Sequence, residues 1–582
     1  MNPETKNCQN CRQPFTIEPD DFDFYKRIEV PAPTWCPECR MQRRLAYRNE
    51  RSLYKRTCDM CKKDIIASYP ADAPFPVYCR ECWWSDNWEA ASYFADYNFD
   101  KPFFQQFHEL TLRVPRVAMW HRNAINSDFS NMVGESKNVY LSVSVISGSE
   151  NVSYSKSVDA SRNIVDGFNL VHCENSYENI EGEKNYTSHF MFMSRNCIDC
   201  RFLVDCATCK NCFMSSNLRN KEFYIRNKQY SKDEYFAELA KMNFGSRTET
   251  QKLLQEFDEM RSRAIYKFAN ILRSTSSTGN NLMNVKNVRQ SFDVYNAENA
   301  KNCYRSLNFK DCMDYEYAFT GELTYEYTTG GKDNYQLKFA YSADSTRNSD
   351  YVDSCFSCNN VFGCAGLRKK EYAILNKTYS PDEFRDLRKR IIEQMSSMPY
   401  RDSIGRMYTY GEFFPPELNL SAYNESVAWD YWPLSKEEAL AKGFRWRDSE
   451  KKTHAPTIDA IPDDIATIQD SILQEILPCA HEQNCNHMCS VAFRLTPDEL
   501  AFYKNNSIPV PDKCPNCRHY ERLAKTTPLK LWRRSCMCQD GSSNEAAHGH
   551  SAALCPNTFE TPYAPERPEV VYCEQCYNAE IA

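Results

Sequence analysis

The run Lys137-Asn138-Val139-Tyr140-Leu141-Ser142-Val143-Ser144-Val145 sets the architecture of the interior. Val139, Leu141, Val143 and Val145 alternate with Tyr140, Ser142 and Ser144, the two-residue period of a half-buried strand. The charged residue plus asparagine that opens the run recurs at Glu150-Asn151, Arg162-Asn163, Glu174-Asn175, Lys184-Asn185, Arg195-Asn196 and Lys210-Asn211. The steps are 13, 12, 12, 10, 11 and 15 residues. Asparagine tolerates the left-handed region and bonds its own backbone, so it suits a corner repeated coil after coil. Corners stacked in register can also ladder their side-chain amides. The pattern predicts a β-solenoid, with two such units expected per coil. An antiparallel meander with Asn-rich turns is the alternative.

The interior repeats at an offset of 149 residues. Leu218-Arg219-Asn220-Lys221-Glu222-Phe223 matches Leu367-Arg368-Lys369-Lys370-Glu371-Tyr372, Cys206 and Cys209 match Cys355 and Cys358, and Asn138, Asn185 and Asn211 match Asn287, Asn334 and Asn360. A helix is expected after each stretch, because Ser231-Lys232-Asp233-Glu234 and Ser380-Pro381-Asp382-Glu383 are capping boxes. Leu253, Phe257, Met260, Ala264 and Phe268 suggest a further helix. The interior thiols Cys197, Cys200, Cys206, Cys209 and Cys212 could bind metal or stack as small apolar side chains. Val361 replaces Cys212 in the second stretch, which favours stacking.

Outside the interior, cysteine dominates. Cys8-x-x-Cys11, Cys36-x-x-Cys39, Cys58-x-x-Cys61 and Cys79-x-x-Cys82 stand within the first 82 residues. Each pair lets two thiolates reach one ion from a tight turn, and two pairs complete a tetrahedral S₄ site. The C-terminus repeats the series at an offset of 478: Cys11, Cys36, Cys39 and Cys58 map to Cys489, Cys514, Cys517 and Cys536. After an insertion, Cys61, Cys79 and Cys82 match Cys555, Cys573 and Cys576. Cys8 maps onto Asn486, so its neighbour Cys485 is expected to substitute. Cys479 has no assignment, and Cys538, His548 and His550 are spare ligands for the fourth site. About four zinc ions are expected. Sequential closure of the pairs is favoured over a cross-braced arrangement.

Cys8-x-x-Cys11 with Pro14-Phe15-Thr16-Ile17, Phe24-Tyr25 and Cys36-Pro37-Glu38-Cys39-Arg40 resembles the probable zinc-ribbon (treble-clef-like) family, and Cys489 to Arg518 is similar. The resemblance covers about 40 residues at each end and implies structural zinc, with no activity attached. The layout as a whole resembles large multi-zinc-ribbon proteins of small-genome, candidate-phylum bacteria.

The expected chain is therefore multidomain and mainly β with helices. Tandem zinc ribbons occupy 1–92 and 471–582, and solenoid-like stretches occupy 124–228 and 273–378. Between them lie a connector at 93–123, a helical insert at 229–272, a helix at 379–400 and an irregular connector at 401–470. No export signal opens the chain and no apolar run is long enough to span a membrane, so a reducing cytosol is expected, with thiols serving as ligands.

The formal net charge is −7, so affinity for nucleic acid requires a local basic face. The connectors between sites supply candidates: Arg40, Arg43, Arg44, Arg48, Arg51, Lys55 and Arg56 at one end, Arg518, Arg522, Lys530, Arg533 and Arg534 at the other. Arginine forks fit phosphate and the interleaved Tyr47, Tyr54, Tyr520 and Trp532 offer stacking planes. A solvated helical face, or salt bridges onto the acidic middle, is the competing use. Among the motifs sought, there is no phosphate-binding loop, zinc-protease helix or nucleophile elbow. The leading expectation is a non-enzymatic protein that binds nucleic acid or a ribonucleoprotein, with the solenoid as spacer and partner surface. A glycan-active or glycan-binding solenoid using Asp159, Asp166, Asp199 and Asp205 is the alternative, and a protein–protein scaffold the third reading.

Overall fold

The computed structural model describes residues 2–316, 319–448, 455–482, 484–538 and 555–581. Its centre is a parallel β-solenoid in two stretches, residues 121–229 and 271–378, separated by the helices Lys232–Leu239 and Arg247–Arg263. Val133 pairs with Val145, Val145 with Val158, Val158 with Leu170 and Leu170 with Gly182. One coil therefore takes 12 residues, and 13 where Gly148 is inserted. This corrects the expectation of two charged-Asn units per coil. The rhythm near 12 is the coil itself.

The two-residue alternation is also corrected. Asn138, Leu141, Ser144 and Ser147 all have positive φ, as do Asn151, Tyr154, Ser157, Ala160 and Asn163. A left-handed residue at every third position turns the chain through a corner, so each coil is four triplets. Within a triplet the first residue points inward. Val133, Ser136, Val139, Ser142, Val145, Ser149, Val152, Ser155, Val158, Ser161 and Ile164 are all buried. Leu141, read as inward by alternation, is 41% exposed at a corner.

Valine and serine have separate tasks inside. The aliphatic residues stack into a core of Val133, Val139, Val145, Val152, Val158, Ile164 and Leu170. The serines satisfy backbone groups that the ladder cannot reach at corners. Ser142 N–H donates to Ser130 Oγ, Ser155 N–H to Ser142 Oγ and Gly167 N–H to Ser155 Oγ, at 3.2, 2.9 and 2.8 Å. Outside, Asn126, Asn138, Asn151 and Asn163 form an amide ladder at 3.2, 2.9 and 2.8 Å. Further along, the core passes from aliphatic to thiol. Cys197, Cys200, Cys206, Cys209 and Cys212 stack with Met191 and Leu203, and each thiol donates to the carbonyl two residues before it.

Asn185 does not sit at a corner as its neighbours do. Lys184 takes the left-handed position, and Asn185 points inward. Its Nδ2 donates to Ser194 O at 2.8 Å and its Oδ1 accepts from Cys197 N at 3.1 Å. Asn334 makes the same pair of bonds, to Ala343 O and from Thr346 N.

The capping boxes at Ser231 and Ser380 form as read. The helix expected through Phe268 ends at Arg263, where Ala264 turns extended and residues 265–267 become a strand. Among the described residues, no helix is long and apolar enough to cross a membrane.

Replacing Asn185 with Ala leaves a buried carbonyl and a buried N–H without partners. It should lower unfolding free energy by about 1–3 kcal/mol. A loss of only a few tenths in chemical denaturation would be the signature of an exposed turn residue instead.

Candidate metal centres and the basic connectors

The four terminal cysteine sites share one construction. A short antiparallel hairpin ends in the first cysteine, and the chain returns past the second. A helix then begins with the third cysteine as its N-cap and carries the fourth one turn later. The hairpins are Glu4–Asn7 with Pro14–Ile17, Tyr54–Thr57 with Asp64–Ala67, Leu477–Pro478 with Ala492–Phe493, and Trp532–Ser535 with Thr558–Thr561. The helices start after Cys36, Cys79, Cys514 and Cys573. Helix N-termini carry free N–H groups and a partial positive charge, which favour thiolates.

These helices bring together Cys8, Cys11, Cys36 and Cys39; Cys58, Cys61, Cys79 and Cys82; Cys479, Cys489, Cys514 and Cys517; and Cys536, Cys555, Cys573 and Cys576. In each group the ligand atoms lie within 4.8 Å of one another, and closure is sequential. The donor sets fit a tetrahedral ion. Metal–sulfur bonds of about 2.3 Å imply a sulfur–sulfur edge of roughly 3.8 Å. The observed edges include Cys11–Cys36 at 3.7 Å, Cys61–Cys79 at 3.9 Å, Cys479–Cys517 at 3.8 Å and Cys555–Cys576 at 3.7 Å. All 29 cysteines are free of disulfides.

The third group departs from the sequence reading. Cys479, not Cys485, takes the place of Cys8. In every group the backbone N–H of the third cysteine donates to the sulfur of the first at 3.2 Å: Cys36 to Cys8, Cys79 to Cys58, Cys514 to Cys479 and Cys573 to Cys536. The available signal was local: like Cys8, Cys58 and Cys536, Cys479 directly follows the first hairpin strand. The constant offset concealed it, because the loop from Cys479 to Cys489 is longer than that from Cys8 to Cys11. Cys485 instead joins a fifth group with His481, His487 and Cys517. Cys538 is buried beside the fourth group, and His548 and His550 lie outside the described residues.

Backbone donors tune the thiols. At Cys58, burial pushes the thiol up, but N–H groups of Cys61, Cys79 and Met60 outweigh it and bring it down to about 7.

Six of the twelve basic residues expected to meet phosphate are inside the protein. Arg40, Arg43, Arg44 and Arg48 are at most 4% exposed, as are Arg518 and Arg522. The helix Pro37–Ala46 lies on the second solenoid stretch. Arg40 pairs with Asp314 at 2.7 Å, Arg43 with Glu326 at 2.9 Å and Glu412 at 3.2 Å, and Arg44 with Glu316 at 3.3 Å. Arg48 pairs with Glu50 and, at 3.7 Å, with Glu316. Burial pushes the Glu316 carboxyl up to about 8 against the pull of Arg44 and Arg48. The helix Pro515–Lys525 lies on the first stretch instead. Arg518 pairs with Asp166, and Arg522 with Asp166 at 2.7 Å and Glu178 at 2.9 Å. Each connector thus carries the arginines of its helix inward onto buried carboxylates, most of them on the solenoid.

Of the remaining six, Arg56 is paired with Asp59 at 2.8 Å, Lys530 reaches Glu38 at 3.2 Å, and Arg534 is half-buried. Arg533 and Lys55 are exposed. Arg51 lies over the Tyr520 ring at 5.5 Å and donates to Asn516. Two of the four acids expected along a glycan groove, Asp166 and Asp205, are similarly engaged. Asp166 serves the two arginines, and Asp205 pairs with Arg219 at 3.1 Å. Cys173 is in the core, with His172 turned away at a corner.

The two terminal units leave a cleft of about 1340 Å³ between them. Arg51, Tyr54 and Lys55 come from the N-terminal side, Met488, Arg494 and Tyr520 from the C-terminal side. Trp429, Trp446 and Arg447 close it from the connector, and Tyr140 and Tyr154 form part of its solenoid wall. Sequence reasoning named Arg51, Lys55, Tyr54 and Tyr520 but missed Trp429, Trp446, Arg447 and Arg494, which no motif links to the cysteine series.

The fold and these groups define a β-solenoid protein with cysteine clusters that could hold metal ions. Compared with known proteins, the chain matches no family model, no curated protein and no solved structure.

Two measurements test this arrangement. Cys479→Ser should reduce bound metal by one ion per chain in native mass spectrometry, as a third-site ligand must. Arg43→Gln or Arg522→Gln should destabilise the fold by about 3–5 kcal/mol, because each strands buried carboxylates. An unchanged melting temperature would place these side chains at the surface.

Proposed function

We propose that the chain is a zinc-stabilised, non-enzymatic binding protein whose recognition surface is the cleft between its two terminal units. The single observation that carries this reading is the composition of that cleft: ring faces and cations converge there from both ends of the chain. Single-stranded nucleic acid, free or within a ribonucleoprotein, is the ligand class this lining suits best. Trp446 offers a stacking plane, Tyr54 and Tyr520 hold Arg447 and Arg51 over their rings, and these arginines with Lys55 and Arg494 offer phosphate contacts. The basic residues committed to solenoid carboxylates have no part in it.

Zinc is the ion favoured by all-cysteine tetrahedral sites built on hairpin and helix, in the manner of zinc ribbons. The disulfide-free thiols suit a cytosolic setting. We read the two solenoid stretches, and the two terminal pairs of sites, as products of internal duplication. Support comes from the matching bonds of Asn185 and Asn334, and from Cys206 and Cys355, whose thiols each donate to the carbonyl two residues back.

One observation favours a second ligand class. Asp72, Glu425, Asp430 and Asp448 also line the cleft, and Arg447 is paired with Asp72 at 3.1 Å. A protein segment of mixed charge would suit that balance, with the protein as scaffold.

Fluorescence anisotropy with labelled oligouridine and oligothymidine decides between them. Binding should be measurable at low salt and weaken as salt rises. Lys55→Glu with Arg494→Glu should lower the salt slope by about two without shifting the melting temperature. Absence of binding at low salt, or a slope unmoved by the double variant, would leave the protein-segment reading in place.

A further inference from the structure

The loop that lengthens the third site carries ligands of its own. Two residues separate Cys8 from Cys11, whereas nine separate Cys479 from Cys489, and His481, Cys485 and His487 all lie within those nine. The loop folds back so that their ligating atoms and Cys517 Sγ lie within 4.8 Å of one another. Cys485 Sγ is 3.7 Å from Cys517 Sγ, a tetrahedral edge like those of the four all-cysteine groups.

The histidines show what is missing from a purely structural loop. His481 Nδ1 and His487 Nδ1 are both buried without a hydrogen-bond partner. A buried imidazole nitrogen left unpaired costs about 1–3 kcal/mol, so two within one short loop ask for an explanation. The opposite nitrogen of His481 is held from outside: Nε2 faces Glu521 Oε1 at 3.4 Å, and Lys513 Nζ reaches the same oxygen at 2.6 Å. A carboxylate on the far nitrogen of a histidine orients the ring and raises the basicity of the near one, as behind metal-bound histidines. His487 is fixed by stacking on Tyr520, at 5.7 Å and 27°.

We propose that the third site is binuclear. A second divalent ion is held by His481, Cys485, His487 and Cys517, and Cys517 bridges it to the ion held by Cys479, Cys489 and Cys514. The charge balance supports sharing. Four thiolates around one dication leave a formal charge of −2. Five thiolates and two neutral imidazoles around two dications leave −1, in a pocket where Lys513 is already paired. Binding of the second ion releases the Cys485 proton to solvent. Cys485 also lines the cleft, so this ion stands at the wall of the proposed binding surface.

The inference rests on zinc-type occupancy of the four all-cysteine groups, and the experiment separates the two. The full-length protein is loaded with cadmium-113 and examined by native mass spectrometry and cadmium NMR. Five ions are expected, one for each of the five groups. Two of the resonances should be mutually coupled through the Cys517 sulfur. His481→Ala with His487→Ala should remove one ion and abolish the coupling, and Cys485→Ser should do the same. Wild-type protein with four ions and no coupled pair overturns the binuclear site while leaving the other groups standing. Wild-type protein with no cadmium defeats both readings. The wild-type spectrum is decisive by itself, so a variant that misfolds does not rescue the proposal.

Discussion

The helices that carry the first and third cysteine groups are held in place by guanidinium groups buried against solenoid carboxylates. Such pairs contribute little net stability, because desolvation consumes most of the Coulomb attraction, but losing one partner is severe. They therefore act as locks of position. Arg40 and Arg44 of the helix that carries the first cysteine group engage Asp314 and Glu316 of the second solenoid stretch. Arg518 and Arg522 of the helix that carries the third engage Asp166 and Glu178 of the first stretch. The assignment is crosswise: the N-terminal unit covers the later stretch, and the C-terminal unit covers the earlier one. The cleft exists because both units are fixed to neighbouring stretches, which themselves touch through Arg305 and Asn169 at 2.7 Å.

The solenoid makes this geometry rigid. A coil of four triplets stacks each inward residue directly on its successor, so the stretch forms a narrow rod. Between Val133 and Ser161, valine fills two sides of each coil and serine the others; in the second stretch, rings such as Phe309, Tyr315 and Tyr327 stack inside instead. The polar part of the interior is hydrogen-bonded from coil to coil rather than avoided. Where Val and Ser give way to Cys, the thiol serves both purposes, packing as an apolar group and donating weakly to a carbonyl.

Much of this was legible in the sequence. The cysteine series announced the metal groups because ligand spacing is a local property of a turn and a helix start. The asparagine rhythm announced the solenoid because left-handed corners select few residue types. What failed did so for physical reasons. Val139, Leu141, Val143 and Val145 look like alternation, but sequence gives no direct view of the positive φ at Leu141 that re-aims the chain. Cys479 was hidden by a longer loop that breaks register with the N-terminal cysteine series. The arginines misled because surface and interior cations look identical until their partners are known, and Arg43 and Glu326 stand 283 residues apart.

That separation bears on how the chain is made. Synthesis proceeds from the N-terminus, and folding begins before it ends. Arg40, Arg43 and Arg44 leave the ribosome first, long before Glu316 and Glu326. The first stretch follows with Asp166 and Glu178, whose own arginines are the last of the four sets to appear. For much of translation, Asp166 and Glu178 are available to the early arginines while Glu316 and Glu326 are not, although the finished protein reserves the first pair for the late ones. The nascent chain thus holds a mismatched set of complementary charges, and the full native pairing is available only once both ends exist.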